Sequence, residues 1–105
     1  MDIVMEGNIG SEPELRFSED KPRFKFRLAA DQGQDKPPMW VEVTVWGKPA
    51  EKAADSIVKG SRVVVAGVLS QYEYEKKDGT KGYQLQLSAR NLGLSTRFTA
   101  YKEEA

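Results

Sequence analysis

Strict alternation of apolar and polar side chains in two short segments is the feature that most constrains the fold of this chain. In WVEVTVW, residues 40–46, the three valines share one face of an extended strand, because successive strand side chains point to opposite sides. The other face carries Trp40, Glu42, Thr44 and Trp46. RFKFRLA, residues 23–29, likewise alternates large apolar residues with basic ones. This period predicts two β-strands, each with one face in a core.

Three further segments have the composition of strands. The first covers residues 3–9 and continues, beyond an irregularity near the glycines, into residues 15–17. The second, residues 62–74, is apolar on both faces from Val63 to Leu69, which predicts a strand covered on both sides. It leads into the hairpin tip KKDGTKG, whose Asp-Gly pair is a strong turn signal. The third covers residues 83–89, and its predicted inward side chains are Tyr83, Leu85, Leu87 and Ala89.

A single helix is predicted at about residues 49–59. Pro49 suits a first helical position, because its missing N–H would have no partner there. Apolar residues recur at the spacing of one buried stripe. The members of this stripe are Ala50, Ala53, Ala54, Ile57 and Val58.

The order of elements, three strands, one short helix and two strands, predicts an all-β fold. A five-stranded barrel with one helix between strands 3 and 4 is the oligonucleotide/oligosaccharide-binding (OB) arrangement. Alternation alone also allows an SH3-like barrel or part of a sandwich, but the helix position favours the OB fold. We expect one domain over residues 1–105, with its core barrel at about 3–92. Residues 93–105 form an edge strand or a fraying tail in this interpretation.

Composition excludes several classes of function. The 105 residues contain no cysteine and no histidine, so disulfides, thiol nucleophiles, Cys/His zinc sites and a histidine general base are excluded. Neither a phosphate-binding GxxxxGK[ST] loop nor a GxGxxG turn occurs. We therefore predict a protein that is not an enzyme and needs no metal or cofactor. No signal peptide or apolar run of membrane-spanning length is evident, which predicts a cytoplasmic protein.

Exposed aromatic residues are the best candidates for function. Trp40 and Trp46 share the polar face of their strand, and Tyr72 and Tyr74 share one face of a later strand. A base stacked on such a ring contributes about 1–3 kcal/mol, whatever the base. The alternative is that the tryptophans are covered by a loop or another subunit, and that the tyrosines are ordinary strand residues.

Basic residues accompany these aromatic residues, although 16 basic and 16 acidic residues give a net charge of zero. We predict contacts to phosphates, which bind lysine and arginine side chains. The alternative is a solvated surface that protects strand edges. The candidates are Arg23, Lys25, Arg27, Lys48, Lys59, Lys76, Lys77 and Lys81.

Four motifs resemble bacterial single-stranded DNA-binding proteins (SSB). These are GNIGSEPELRF, FRLAA, the block W-x5-WGKPAEKAADSIVKGSRVVVAG, and KDGTKGYQLQL, which together span about residues 3–92. The resemblance implies an OB fold that coats single-stranded DNA in replication, recombination and repair. It implies a homotetramer, with a dimer as the alternative. It also implies a nucleoid-associated location in a bacterium or phage.

The resemblance assigns roles to individual residues. It implies base stacking by Trp40, Trp46 and Tyr74, DNA contacts by Lys48 and Lys59, and a mobile hairpin over residues 76–81. The chain departs from the family by ending at KEEA, without a linker and acidic tip. We therefore expect no recruitment of other proteins through a tail. Glu42 and Glu73 stand where the family often has polar or basic groups, which predicts weaker or more salt-sensitive binding.

The predicted function is non-catalytic, largely sequence-independent binding of single-stranded DNA. The main alternative is an OB-fold interaction module, such as a primosomal or assembly subunit, that binds nucleic acid poorly. RNA binding is a third interpretation, because aromatic stacking does not distinguish the 2′-hydroxyl group.

Overall fold

A computed structural model describes residues 1–97 of the chain. Within this range the elements in chain order are β1 (Asp2–Ile9), β2 (Glu14–Ser18), β3 (Lys21–Ala30), β4 (Met39–Trp46), α1 (Lys48–Ser56), β5 (Arg62–Glu75) and β6 (Lys81–Leu94).

Five of the strands close into a barrel. Their order around it is β1-β5-β6-β4-β3, and β1 pairs again with β3 to complete the ring. All these pairings are antiparallel except β4 with β6, which is parallel. The short helix lies between β4 and β5. The prediction of a five-stranded OB barrel is therefore confirmed.

The irregularity predicted near the glycines separates β1 from β2. The end of β1 pairs with Leu28–Ala30 of β3, and β2 pairs with Lys21–Lys25 of the same strand. The two segments thus lie along one edge of β3, with residues 10–13 between them. The expected continuation of the first strand is a separate strand outside the closed ring.

The alternating apolar residues of β3 and β4 fill the barrel, as predicted. Val43 and Val45 are 0% exposed, and Leu28 on the neighbouring strand is equally buried. Because Leu28 pairs with Val41, and Phe26 with Val43, the two strands present their apolar faces to the same core.

The helix is shorter than predicted. It covers Lys48–Ser56, and Ile57 already has extended backbone angles (φ −104°, ψ 124°). Ala50, Ala53 and Ile57 are buried as expected, but Val58 is 62% exposed. The prediction for Val58 was wrong because the chain leaves the helix before this residue, so the helical period no longer applies to it.

The described chain covers only one side of β5 fully, so α1 does not supply the predicted cover on the other side. Val63 and Val65 face the core, whereas Val68 on the outer side of the strand is 42% exposed. Helix α1 packs on β2, β3 and β4 rather than on the outer side of β5.

The hairpin of β5 and β6 extends beyond the barrel. All residues from 70 to 81 are exposed. Tyr83 alternates with Leu85 and Leu87 as predicted, but it is 60% exposed instead of inward, because no opposing strand reaches this part of the hairpin.

The C-terminal prediction is only partly within the described range. Gly93 and Leu94 belong to β6 rather than to a separate edge strand or tail. The rest of that prediction, for residues 98–105, lies outside the described residues. In the part of the chain that the structure describes, no helix is long and apolar enough to cross a membrane.

Candidate nucleic-acid interface

The outward sides of β5, β6, β4, β3 and β2, which are neighbours in this order, form one continuous surface. We call this surface the outer face. Residues directly opposite each other in a sheet lie on the same side, so strand register shows which side chains share it. Arg23 of β3 lies opposite Trp46 of β4, and Arg27 lies opposite Glu42. Glu42 in turn lies opposite Gln86 of β6. The aromatic, basic and polar residues of the alternating segments are therefore assembled on one surface.

Trp40 lies at one end of this outer face and is 45% exposed. The guanidinium carbon of Arg27 is 5.0 Å from the ring centroid, within the range of a cation–π interaction. The ring also occupies the space beside Gly10, where an added Cβ would lie 2.5 Å from Trp40 Cζ3. Trp40 is thus held against the barrel while much of its surface stays accessible.

Trp46 lies at the opposite end of β4 and is 46% exposed. The guanidinium carbon of Arg23 is 5.7 Å from its ring centroid. The Arg23 Nε is buried and has no hydrogen-bond partner among residues 1–97. Trp46 borders a cavity of about 290 Å³ that Lys25 and Glu42 also line.

The two tyrosines of β5 complete the set of predicted aromatic residues. The rings of Tyr72 and Tyr74 have centroids 6.4 Å apart and are tilted by 56°. The Tyr72 hydroxyl donates a hydrogen bond of 2.5 Å to Gln84 Oε1. The Tyr74 ring lies over Gly82, where an added Cβ would be 2.5 Å from Tyr74 Cζ. A glycine thus supports Tyr74, as another supports Trp40.

Tyr83 is a candidate that the sequence interpretation missed. It lines a cavity of about 500 Å³ together with Trp40 and Tyr74. Tyr83 pairs with Glu73, so its side chain leaves the hairpin on the side opposite Tyr74, at the rim of this cavity rather than on the outer face. The sequence signal for its exposure was its position directly after the KKDGTKG tip, because a long hairpin extends beyond its barrel there. Periodicity alone assigned it to the core.

Glu42 lies between the two tryptophans and is the end point of a polar network. Lys25 Nζ is 2.7 Å from one of its carboxylate oxygens, and Gln84 Nε2 donates a 2.9 Å hydrogen bond to the other. The hydrogen bond from Lys25 is the main cause of a lowered pKa of the Glu42 carboxyl, and Gln84 lowers it further. Glu42 is therefore ionised at neutral pH and offsets part of the positive charge of Arg23, Lys25 and Arg27, the basic stripe of β3.

The predicted cations fall into two groups. Arg23, Lys25 and Arg27 lie on β3, beside the tryptophans of β4, as predicted. Lys48 is exposed at the first position of α1, beside a cavity of about 570 Å³ between the helix and the end of β6. Lys59 is exposed in the turn after the helix. Neither lysine lines the cavities that contain Trp40 and Trp46.

The hairpin lysines are all exposed near the tip. Lys76 and Lys77 flank the turn, and Lys81 forms an ion pair of 3.1 Å with Glu73. The structure does not bring them into contact with Trp40 or Trp46. It does bring Lys81 to the same small cavity as Tyr74.

An OB barrel with exposed aromatic rings and arginines on one face defines the class of oligonucleotide-binding OB proteins. Comparison with known proteins gives the particular family. Residues 1–95 match the single-strand binding protein family, and the chain belongs to it.

Curated relatives in this family cover nearly the whole chain. The single-stranded DNA-binding protein of Paenarthrobacter aurescens is 32% identical over 95% of this chain and 64% of its own length. That of Corynebacterium glutamicum is 35% identical over 91% of this chain and 47% of its own length. The chain thus spans about half to two thirds of the length of these relatives.

Two solved structures are similar over nearly their full length. The second single-stranded DNA-binding protein (SSBb) from Mycobacterium smegmatis superposes with a TM-score of 0.76 at 28% identity, covering 100% of this chain and 97% of that one. The small single-stranded DNA-binding protein from Streptomyces coelicolor gives a TM-score of 0.74 at 25% identity, covering 91% and 94%.

Proposed function

We propose that this chain binds single-stranded DNA without catalysing a reaction and with little dependence on sequence. The observation that carries the proposal is the joint presence of Trp40, Trp46, Tyr72 and Tyr74 on the outer face, each 39–46% exposed. Rings that are fixed at one edge and accessible elsewhere are suited to stacking on bases. The names of the relatives support DNA as the nucleic acid. A role in replication, recombination or repair is part of the proposal.

The cations contribute in two ways in this proposal. Arg23 and Arg27 stack beside the tryptophans, so their guanidinium groups orient the rings and attract phosphates between stacked bases. The path of the DNA phosphates over the protein extends on either side to Lys48, Lys59 and the hairpin lysines. Lys25 is already paired with Glu42, so it contributes less than its position on the stripe suggests.

A titration with oligo(dT) tests the proposal directly. Stacking on Trp40 or Trp46 quenches tryptophan fluorescence, and the affinity falls steeply with salt because phosphate binding releases counterions. The absence of quenching at low salt contradicts the stacking role. A matched oligo(U) titration decides between DNA and RNA.

We also propose a homo-oligomer, with a tetramer as the preferred state. Val4 of β1 lies opposite Ala66 of β5 and diagonal to Val68. Val4 is 66% exposed and Val68 is 42% exposed, on the side of β5 that α1 leaves uncovered. Light scattering measures the mass, and a monomer at micromolar concentration would contradict this proposal.

We further propose that residues 1–105 act as a single DNA-binding domain in the cytoplasm. The alternative is an OB-fold module that binds proteins and binds nucleic acid poorly. Binding of a partner protein on the Trp40 and Trp46 surface, with no effect of oligo(dT) on tryptophan fluorescence, would support that alternative.

A further inference from the structure

We propose that the groove between α1 and the end of β6 binds an extended peptide segment of a partner protein, in which apolar and acidic residues alternate. The groove holds a cavity of about 570 Å³, within the usual range for binding sites. Five apolar side chains line it, namely Pro49, Ala53, Ile57, Leu92 and Leu94. It contains none of the four aromatic residues assigned to base stacking, so it is a second candidate site on the chain.

One edge of β6 is open where it borders this groove. The parallel pairing of β6 with β4 ends at Ala89, whereas its pairing with β5 continues to Leu94. β4 itself ends at Trp46, where the chain turns toward α1. Among residues 1–97, no strand therefore lies beside residues 90–94 on the side that β4 leaves. An open strand edge can pair with another extended segment, which then adds a strand to the sheet.

The backbone groups of Leu92 and Leu94 point to this open edge. The Ser95 N–H donates a 2.8 Å hydrogen bond to the carbonyl oxygen of Arg62, the first residue of β5. Residues of an antiparallel pair alternate between hydrogen-bonded and non-hydrogen-bonded positions, so Leu94 and Leu92 occupy non-hydrogen-bonded positions opposite β5. Their N–H and C=O groups are directed away from β5, toward the groove. An added strand would thus find two donors and two acceptors there.

The charged rim of the groove is basic. Lys48 and Lys52 line it, about one helical turn apart on α1. Neither lysine forms an ion pair within residues 1–97. The acidic residues of the helix, Glu51 and Asp55, do not line the groove. Two unpaired lysines beside apolar side chains favour a peptide that carries both carboxylates and apolar residues.

A nucleic-acid strand fits this groove less well than a peptide does. Its phosphates would satisfy the lysines, but a nucleic acid has no backbone amides to continue the sheet. No aromatic residue lines the groove to stack on its bases. The apolar lining and the open strand edge are both used only by an extended peptide.

The test measures binding of a fluorescein-labelled synthetic peptide, Glu-Val-Asp-Val-Asp-Val-Glu, to the full chain by fluorescence anisotropy. We expect saturable binding, and none of a control peptide in which lysine replaces every acidic residue. Lys52→Ala should weaken binding of the acidic peptide about two- to fivefold, as for the loss of one exposed ion pair. Lys36→Ala, at an exposed loop position away from the groove, should leave the affinity unchanged.

A pair of tryptophan substitutions locates the peptide on the chain. Ser56 lines the groove and is exposed, so Ser56→Trp places a large ring there without disturbing the core. We expect binding to weaken about tenfold or more, because the ring takes the space of the peptide's apolar side chains. Asp55→Trp is the matched control, since Asp55 is the exposed neighbour on the same helix but does not line the groove. Its affinity for the peptide should equal that of the wild type.

N-methylated peptides test the strand pairing itself. Alternate N–H groups of an added edge strand point to β6 and to solvent. One peptide is methylated at the valine N–H groups and another at the aspartate N–H groups. One of the two should no longer bind, and the other should bind like the parent peptide.

Several results would overturn this inference without affecting the proposed DNA binding, which the oligo(dT) titration measures separately. The first is the absence of saturable binding of the acidic peptide at low salt, or equally tight binding of the lysine peptide. Equal effects of Ser56→Trp and Asp55→Trp, or of the two methylated peptides, would also overturn it. So would a change of mass in light scattering that is confined to Ser56→Trp, because a second copy of the chain would then occupy the groove.

Discussion

The two faces of β4 differ completely although they share one backbone. On the inner face, Val41, Val43 and Val45 are at most 1% exposed. On the outer face, Trp40 and Trp46 are 45% and 46% exposed, with an arginine guanidinium beside each ring and Gly10 beside Trp40. The valines contribute to stability by removing apolar surface from water. The tryptophans leave apolar surface accessible, which is the property a stacking site needs. Stability and binding should therefore be separable by single substitutions one residue apart.

The largest expected effect is on the inner face. Val43→Asp introduces a charge at a position that is 0% exposed, with no partner for it. An unpaired buried charge costs roughly 3–5 kcal/mol or more, a large part of the total stability of a small domain. We expect a chain that is largely unfolded by circular dichroism at 25 °C.

Thr44→Asp is the matched substitution on the outer face. Thr44 lines the Trp46 cavity, so the new charge remains accessible to water. We expect the free energy of unfolding in urea to change by about 1 kcal/mol or less, and oligo(dT) binding to weaken through repulsion of phosphates. Equal destabilisation by both substitutions would contradict the division between the two faces.

The second prediction concerns the tryptophans. Trp46→Ala should weaken oligo(dT) binding by about 1–3 kcal/mol, roughly 5- to 150-fold in Kd, because one stacking site is lost. The urea midpoint should stay close to that of the wild type, since the ring is half exposed. A variant that unfolds would show that Trp46 belongs to the core, and would remove it from the interface.

The third prediction tests the glycine beneath Tyr74. Gly82→Ala places a Cβ 2.5 Å from the Tyr74 ring, so the exposed ring must move. We expect binding to weaken several-fold, less than the loss of a whole ring, with little change in the unfolding free energy. Gly93→Ala is the control, because nothing lies within 4 Å of its added Cβ. Equal effects of both substitutions on binding would exclude a specific role for the Tyr74 position.

The smallest effect is expected for a single phosphate contact. Lys48→Ala should reduce the slope of log Kobs against log salt by about 0.7, the value per phosphate for single strands. Lys36→Ala, at an exposed loop position outside the predicted path, should leave the slope unchanged. The same slope in the wild type and Lys48→Ala would remove Lys48 from the phosphate path.

Much of the outer face could be predicted from the residues. Two-residue alternation fixes which side chains share a face, so it correctly grouped Trp40 with Trp46 and Arg23 with Arg27. It could not show which side chains of neighbouring strands meet. The pairing of Lys25 with Glu42 depends on the register of β3 against β4, and the bond from Gln84 depends on the parallel pairing of β4 with β6.

The wrong predictions have a common physical origin. Val58 and Tyr83 both continue a regular pattern in the sequence, and both lie where the supporting element has ended. A pattern records the direction of a side chain, whereas burial also requires a neighbour opposite it. Val68 is 42% exposed in the single chain because α1 packs on β2, β3 and β4 instead.

The sequence by itself determined the elements, the barrel class, and the alternation that separates valines from tryptophans, because these follow from local backbone geometry. Only the tertiary structure decided which strands neighbour one another. That arrangement brought Tyr74 of β5 to the same cavity as Trp40 of β4, and directed Lys25 and Gln84 to Glu42. Such contacts join residues up to 42 positions apart, from Glu42 to Gln84, and strand register rather than local sequence sets their distances.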